Sequence, residues 1–108
     1  MRKLSPSQVS LASGRARALG DPTRLRILES LARGEQSVGH IATTTRTLQS
    51  TVSKHLRVLF QAGLVDRRRE ANTVFYWVAD PRLLAYVRYL GVQQLSSTSG
   101  RQTRRPRV

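Results

Sequence analysis

Four polar side chains between residues 50 and 57 have the spacing of one helix face. At about 100° per residue, Ser50, Ser53, Lys54 and Arg57 lie together on one side. The opposite side is an apolar stripe made of Leu48, Val52, Leu56 and Leu59. Because the polar face carries hydroxyls and cations but no carboxylate, it can meet phosphates and base edges without repulsion. We predict a recognition helix here, with an ordinary solvated helix face as the alternative.

A short helix and a Thr-rich turn precede this face. Ser37 suits the N-cap of a helix that runs to about Thr44 and buries Ile41, and Thr45-Arg46-Thr47 then forms the turn. With the following helix, which ends at Gly63, this predicts a helix-turn-helix, whose second helix enters the major groove of DNA. A helical hairpin in an ordinary bundle would have a similar pattern.

Two extended segments follow, from Leu64 to Glu70 and from Thr73 to Ala79, joined by Ala71-Asn72. Asn72 tolerates the left-handed conformation of a tight turn, so we predict a β-hairpin. Its first strand carries three consecutive arginines, Arg67, Arg68 and Arg69. They could hold the DNA backbone or enter the minor groove, or they could form only a solvated charge run. A basic hairpin directly after a recognition helix is typical of the wing of a winged helix.

Helices are also predicted at both ends of the chain. Ser5-Pro6 and Asp21-Pro22 are each a capping residue followed by proline, and Asp80-Pro81 repeats this pattern before a last helix to about Leu95. The predicted fold is therefore mostly α with a β-hairpin wing, a winged helix-turn-helix of four helices, two strands and a fifth helix. The last helix has a wider apolar face than so small a domain can bury, and this predicts a homodimer interface formed with the first helix. The interface residues we expect are Val9, Ala12, Ala16, Leu83, Val87 and Leu90.

The charge of the chain indicates its partner. Lysine and arginine number 19 against 6 aspartates and glutamates, a net charge of +13, and removing the four arginines of residues 96–108 still leaves +9. We interpret residues 1–95 as one domain that binds a polyanion, double-stranded DNA first and an anionic membrane surface second. Residues 96–108 are predicted to be a disordered basic tail that adds nonspecific DNA affinity.

Other functions are disfavoured by what the sequence lacks. No apolar run approaches the ~20 residues that span a bilayer, so we expect a cytoplasmic protein that associates with the nucleoid and not with a membrane. The absence of cysteine excludes disulfides and thiolate metal sites. With no Gly-rich phosphate loop, no paired nucleophile and histidine, and no carboxylate cluster, we predict no enzyme activity and no cofactor.

Three stretches together, ALGDPTRLRILESLARG, SVGHIA and QSTVSKHLRVLFQAGLVDRRREANTVFYWVADP, resemble the ArsR/SmtB family of bacterial winged-helix repressors. The resemblance covers about residues 15–90. It implies a homodimer joined through the first and last helices, which binds an inverted-repeat operator and releases it when an inducer, often a metal ion, binds. By position it implies major-groove contacts from Gln49, Ser50, Thr51, Ser53 and Lys54. It implies wing contacts from Arg67, Arg68, Arg69 and Asn72.

The metal-site positions of that family are altered here. The thiolate sensors of the family carry Cys-x-Cys on the third helix, and by resemblance Ser37 and Gly39 occupy those two positions here. Other sensors of the family use Asp and His on the last helix, but the segment from Pro81 to Leu95 has no Asp, Glu or His. Only His40 and His55 are left as neutral-pH ligands, and a metal normally takes three or four. We therefore predict no metal site, and any inducer would be a small molecule of another kind or a partner protein.

The turn before the recognition helix also departs from the family pattern, in which leucines flank a glycine. If Arg46 must adopt a positive φ there, we expect it to be strained. Thr47 is the better N-cap of the next helix, and Leu48 stands where serine is common. Three hypotheses remain at this point: a sequence-specific transcription factor, a nucleoid-type architectural protein, and a winged helix used for protein contact.

Overall fold

The computed structural model describes residues 2–97 and contains five helices and three strands. In chain order they are α1 (Pro6–Leu19), α2 (Pro22–Leu31), β1 (Gln36–Ser37), α3 (Val38–Thr45), α4 (Gln49–Gln61), β2 (Val65–Glu70), β3 (Thr73–Val78) and α5 (Arg82–Ser97). The predicted fold class, mostly helical with a β-hairpin wing, is confirmed. Helix α5 continues two residues beyond Leu95, and residues 98–108 of the predicted tail lie outside the described part.

The predicted capping residues begin the first three helices. Ser5 caps α1, and its hydroxyl accepts a hydrogen bond from the Gln8 N–H at 3.2 Å. Asp21 Oδ1 accepts from the backbone N–H groups of Thr23 at 2.9 Å and Arg24 at 3.1 Å. Ser37 caps α3 in the same way. These short-range bonds satisfy donors that the helix itself leaves free, which is why local sequence predicts the boundaries.

Strand β3 is the centre of a three-stranded antiparallel sheet in the order β1-β3-β2. In the wing, Glu70 lies opposite Thr73, so the turn has two residues as predicted. The left-handed residue of that turn is Ala71, at φ 54°, and not Asn72 as the sequence suggested. The prediction was wrong because a two-residue turn can require a positive φ at its first position alone.

Strand β1 was not predicted from the sequence. It has only two residues, and Gln36 pairs with Tyr76 of β3. The buried Gln36 side chain donates to the carbonyl oxygen of Ser30 and accepts from its hydroxyl, so neither polar group is buried unpaired. This short strand therefore joins α2 to the wing.

The core lies between α2, α3, α4 and the sheet. Its fully buried side chains are Ile27, Leu28, Ile41, Val52, Leu56, Leu59 and Val65. Leu48, predicted to belong to this stripe, is instead 75% exposed. It precedes α4 and has an extended backbone, with ψ 141°, so the helical phase of the stripe does not apply to it. No helix within residues 2–97 is long and apolar enough to span a membrane.

Candidate nucleic-acid interface

Helix α4 has a fixed rotation about its axis because one side of it is entirely buried. Val52, Leu56 and Leu59 have no exposed surface and pack against α2 and α3. The opposite face is therefore held towards solvent. Gln49, Ser50, Lys54 and Arg57 are exposed on it, and Thr51 and Ser53 are half-buried at its edges. Since α4 contains no acidic residue, the whole face is compatible with an anionic ligand.

The turn between α3 and α4 ends α3 with a left-handed residue. Arg46 has φ 54° and ψ 45°, its N–H donates to the Thr43 carbonyl at 3.3 Å, and the Thr47 N–H donates to the Ala42 carbonyl at 3.0 Å. This pair of bonds is the Schellman motif, in which glycine is the usual left-handed residue. Arg46 thus adopts the positive φ that was the condition for the predicted strain.

The beginning of α4 lacks a side-chain cap. The N-cap residue is Leu48 and not Thr47, so that prediction was wrong. The Thr47 hydroxyl donates instead to the Thr45 carbonyl at 3.1 Å. The Thr47 N–H closes α3 through its bond to the Ala42 carbonyl, and α4 begins after the next residue, with Leu48 at the N-cap.

The wing arginines have three different surroundings. Arg67 stacks on Phe60 of α4, with 3.9 Å from its guanidinium carbon to the ring centroid. Arg68 binds the Glu35 carboxylate through Nε at 2.6 Å and Nη2 at 3.2 Å, and its Nη1 contacts Glu70 at 3.0 Å. The Arg69 side chain is exposed and forms no hydrogen bond or ion pair with another side chain within residues 2–97. Asn72 is exposed at the tip of the wing.

The ion pair of the wing shifts the pKa of both partners. The hydrogen bond from Arg68 lowers the pKa of Glu35, although partial burial opposes this. Hydrogen bonds to Glu35 and Glu70 raise the pKa of Arg68. Both groups therefore stay charged at neutral pH. Because all three guanidinium nitrogens of Arg68 contact Glu35 or Glu70, its charge is largely neutralised within the protein. This pairing was not predicted, because Glu35 and Arg68 are 33 residues apart and no local pattern links them.

Arg15 and Arg24, for which the sequence predicted no structural contact, hold α1 against the rest of the fold. Arg24 Nε donates to the Ala18 carbonyl at 2.6 Å, and its Nη1 lies 3.2 Å from His55 Nδ1 on α4. The same His55 nitrogen lies 3.9 Å from Asp21 Oδ1, so Arg24, His55 and Asp21 meet where α1, α2 and α4 come together. Arg15 Nε donates to the Ala62 carbonyl at 3.3 Å. An available sequence signal was that helix ends present free carbonyls, which nearby arginines can bind.

The residues expected at a dimer interface divide into two groups. Val9 and Leu90 are 53% and 52% exposed, and Ala12 and Ala16 are exposed as well. Leu83 and Val87 are half-buried, because they pack on the core of their own subunit. Helices α1 and α5 together line a groove of about 700 Å³. The structure thus leaves an apolar face on these two helices.

Metal ligands do not cluster in the part of the chain that the structure describes. Within residues 2–97, no three His, Cys, Asp or Glu side chains come together. His40 is exposed on α3, and His55 is half-buried on α4 beside Arg24.

The sequence and the fold of this chain are both similar to those of known transcription regulators. A model of the family described as "Bacterial regulatory protein, arsR family" matches residues 21–67. A homodimeric winged helix-turn-helix DNA-binding domain from Mycobacterium bovis, a possible ArsR-family regulator, has 31% identity and a TM-score of 0.78. The alignment covers 94% of this chain and 100% of that one. This chain belongs to the ArsR family.

Relatives of this chain include a repressor and an activator of transcription. A biofilm growth-associated repressor of Agrobacterium fabrum is 42% identical over 66 residues, which are 61% of this chain and 56% of the repressor. The transcriptional activator HlyU of Vibrio cholerae is 38% identical over 74 residues, 68% of each protein. The chain thus spans little more than half the length of the Agrobacterium repressor. The ArsR family and these relatives are transcription regulators, not enzymes.

Proposed function

We propose that this ArsR-family protein is a homodimeric repressor that reads a specific inverted-repeat operator. The observation that carries the proposal is the exposed, acid-free face of α4, which the buried stripe holds in one orientation. Helix-turn-helix dimers place two such helices in successive major grooves, about 34 Å apart. Repression follows when the dimer occludes a promoter. The Agrobacterium relative, a repressor by name, supports this sign of regulation.

Base readout is assigned to the exposed side chains at the start and middle of α4. Gln49 suits adenine, Ser50 can bind several base edges, and Lys54 suits guanine or a phosphate. Thr51 and Ser53 lie at the edges of the face, where they support contacts to the backbone. Arg57, one turn beyond Ser53, adds charge towards a phosphate.

The wing is assigned to the flanking DNA backbone, with an unequal division among its arginines. Arg69 and the tip residue Asn72 are exposed and have the freedom to contact DNA. Arg67 adds positive charge from its stacked position on Phe60. Arg68 serves chiefly to hold the wing through Glu35. This modifies the equal role that the family resemblance implies for the three.

Dimerisation is assigned to α1 and α5. The exposed Val9, Ala12, Ala16 and Leu90 form the contact surface, and Leu83 and Val87 support it from the side of the core. The homodimeric Mycobacterium neighbour supports the formation of a dimer. The protein acts in the cytoplasm on the nucleoid, and it responds to no metal at the altered family positions Ser37 and Gly39. The candidates for its signal are a small molecule, a partner protein, or none.

A second function, architectural binding of duplex DNA without sequence preference, is favoured by one observation, the net charge of +13. Phosphate contacts alone carry no sequence information, so an architectural protein would bind all duplexes with the same steep salt dependence. The two functions therefore differ in whether α4 side chains affect discrimination.

The test compares a double variant of α4 with a wing variant. Ser50→Ala with Lys54→Ala should weaken binding to the preferred duplex by at least tenfold more than binding to random duplex, whereas Arg69→Ala should weaken both by the same factor. Equal losses on both duplexes for every variant would contradict the assigned roles. Circular dichroism of each variant confirms that the fold is retained.

A further inference from the structure

Among the side chains described for residues 2–92, Leu48 is the most exposed large apolar one, at 75%. The other exposed ones within residues 2–92 lie on α1 or α5, except Leu4, which precedes α1 and lines the groove between α1 and α5, and Val58. Val58 shares a pocket with Leu11 of α1, so it belongs to that side of the molecule. Leu48 therefore lies apart from the apolar face assigned to the dimer and needs a different explanation.

The position of Leu48 is one where a polar residue would stabilise the protein. It is the N-cap of α4, where serine, threonine, asparagine or aspartate would accept a backbone N–H, and its side chain makes no such bond. Leucine at this position forms no capping hydrogen bond and also exposes apolar surface to solvent. A break of a local rule without compensation inside the fold is typical of a functional site.

The surroundings of Leu48 belong to the candidate DNA interface. It directly precedes the exposed Gln49 and Ser50 and follows the turn that carries the exposed Arg46. The N-terminal residues of a recognition helix are the ones that reach base edges in the major groove. The only apolar group that bases display in that groove is the C5-methyl group of thymine.

We propose that Leu48 is a specificity-determining residue that packs on a thymine methyl group in each half of the operator. This inference rests on the proposed function, because it requires α4 to enter the major groove. It adds an apolar contact to a face otherwise made of hydroxyl, amide and cationic groups. Leucine offers no hydrogen bond, so its discrimination acts only through the methyl group.

The test replaces single thymines by deoxyuridine, which keeps base pairing and removes only the methyl group. The preferred duplex is first selected from a random library with the wild-type protein. Each thymine is then replaced in turn, and dissociation constants are measured for wild type, Leu48→Ala, Leu48→Ser and the control Val58→Ala. Leu48→Ser restores a cap, so poor folding does not explain a loss of discrimination by that variant.

At one thymine of a half-site, we expect wild type and Val58→Ala to lose about fourfold in affinity, and about fifteenfold when both half-sites are substituted. Leu48→Ala and Leu48→Ser should lose nothing further at that position. If uracil weakens all four proteins equally, or none of them, the assignment of Leu48 is wrong while the proposed function stands. If selection yields no preferred duplex, the proposed function itself fails, and the assignment of Leu48 fails with it.

Discussion

Arg68 and Glu35 form a two-point ion pair that joins the wing to the segment before β1. Nε and Nη2 of Arg68 lie 2.6 Å and 3.2 Å from the two carboxylate oxygens of Glu35. The same guanidinium stacks on Phe75 of β3, 4.6 Å from the ring centroid. A planar guanidinium is suited to such geometry in a way that a lysine ammonium is not. The pair therefore restrains the wing relative to the body of the domain.

The first prediction concerns the mobility of the wing. Arg68→Lys keeps the charge but loses the two-point contact, so we expect amide hydrogens of β2 and β3 to exchange several-fold faster than in wild type. Arg69→Lys is the matched control and should leave exchange unchanged, because the Arg69 side chain has no side-chain partner among the described residues. Hydrogen exchange followed by mass spectrometry measures both. Equal exchange in the two variants would show that Arg68 does not restrain the wing.

The second prediction concerns the left-handed turn residue. Arg46→Gly should raise the free energy of unfolding by about 1 kcal/mol, because glycine adopts positive φ without a clash of its Cβ. Arg46→Ala removes the same side chain but keeps Cβ, so it should give no such gain. Urea denaturation of the two variants checks this. A gain of equal size for both would attribute the effect to the arginine side chain instead of the backbone.

The third prediction concerns acid stability. Hydrogen bonds from the Arg82 guanidinium, followed by one from its backbone N–H, lower the pKa of Asp80 from 3.8 to about 2. Because the folded-state pKa is the lower one, the stabilising effect of Asp80 is present above about pH 4 and is lost as pH falls through about 2. Asp80→Asn should therefore be less stable than wild type at pH 7.

Urea midpoints at pH 7, 4, 3 and 2 measure this difference. The two curves should converge as the pH approaches 2, with Glu29→Gln as a control for the loss of one exposed carboxylate. A gap that stays constant from pH 7 to pH 2 would mean that the charge of Asp80 is not what stabilises the start of α5.

The fourth prediction concerns the dimer. Leu90→Glu places a charge on the exposed apolar face of α5 and should produce a monomer with weak DNA affinity. Leu48→Glu changes an even more exposed leucine, which begins α4 and belongs to neither α1 nor α5, and should leave the dimer intact. Sedimentation velocity distinguishes the two sizes. A dimer of Leu90→Glu would place the interface elsewhere.

The sequence predicted those elements whose signals are local. Ser5, Asp21 and Ser37 each begin a helix through bonds that reach two or three residues, so their positions were correct. The rotation of α4 was also predictable, because Val52 and Leu56 lie on one face at helical spacing.

What the sequence did not predict depends on partners distant in the chain or on a shift of one residue. Strand β1 forms because Gln36 is hydrogen-bonded to Ser30 and pairs with Tyr76 of β3. A strand of two residues is too short to show a sequence pattern that would predict it. Leu48 was misplaced because the Schellman turn uses Thr47, which moves the beginning of α4 by one residue. The helical period that correctly buries Val52, Leu56 and Leu59 was extended one residue too far, to the exposed Leu48.

The most direct test of specific operator binding is a salt-resolved titration of the full chain against its selected duplex, with random duplex of equal length as competitor. We expect a preference of about a thousandfold or more that persists as salt is raised, within the range of specific regulators. Equal affinity for both duplexes, with the same steep salt slope, would contradict it and identify an architectural protein instead.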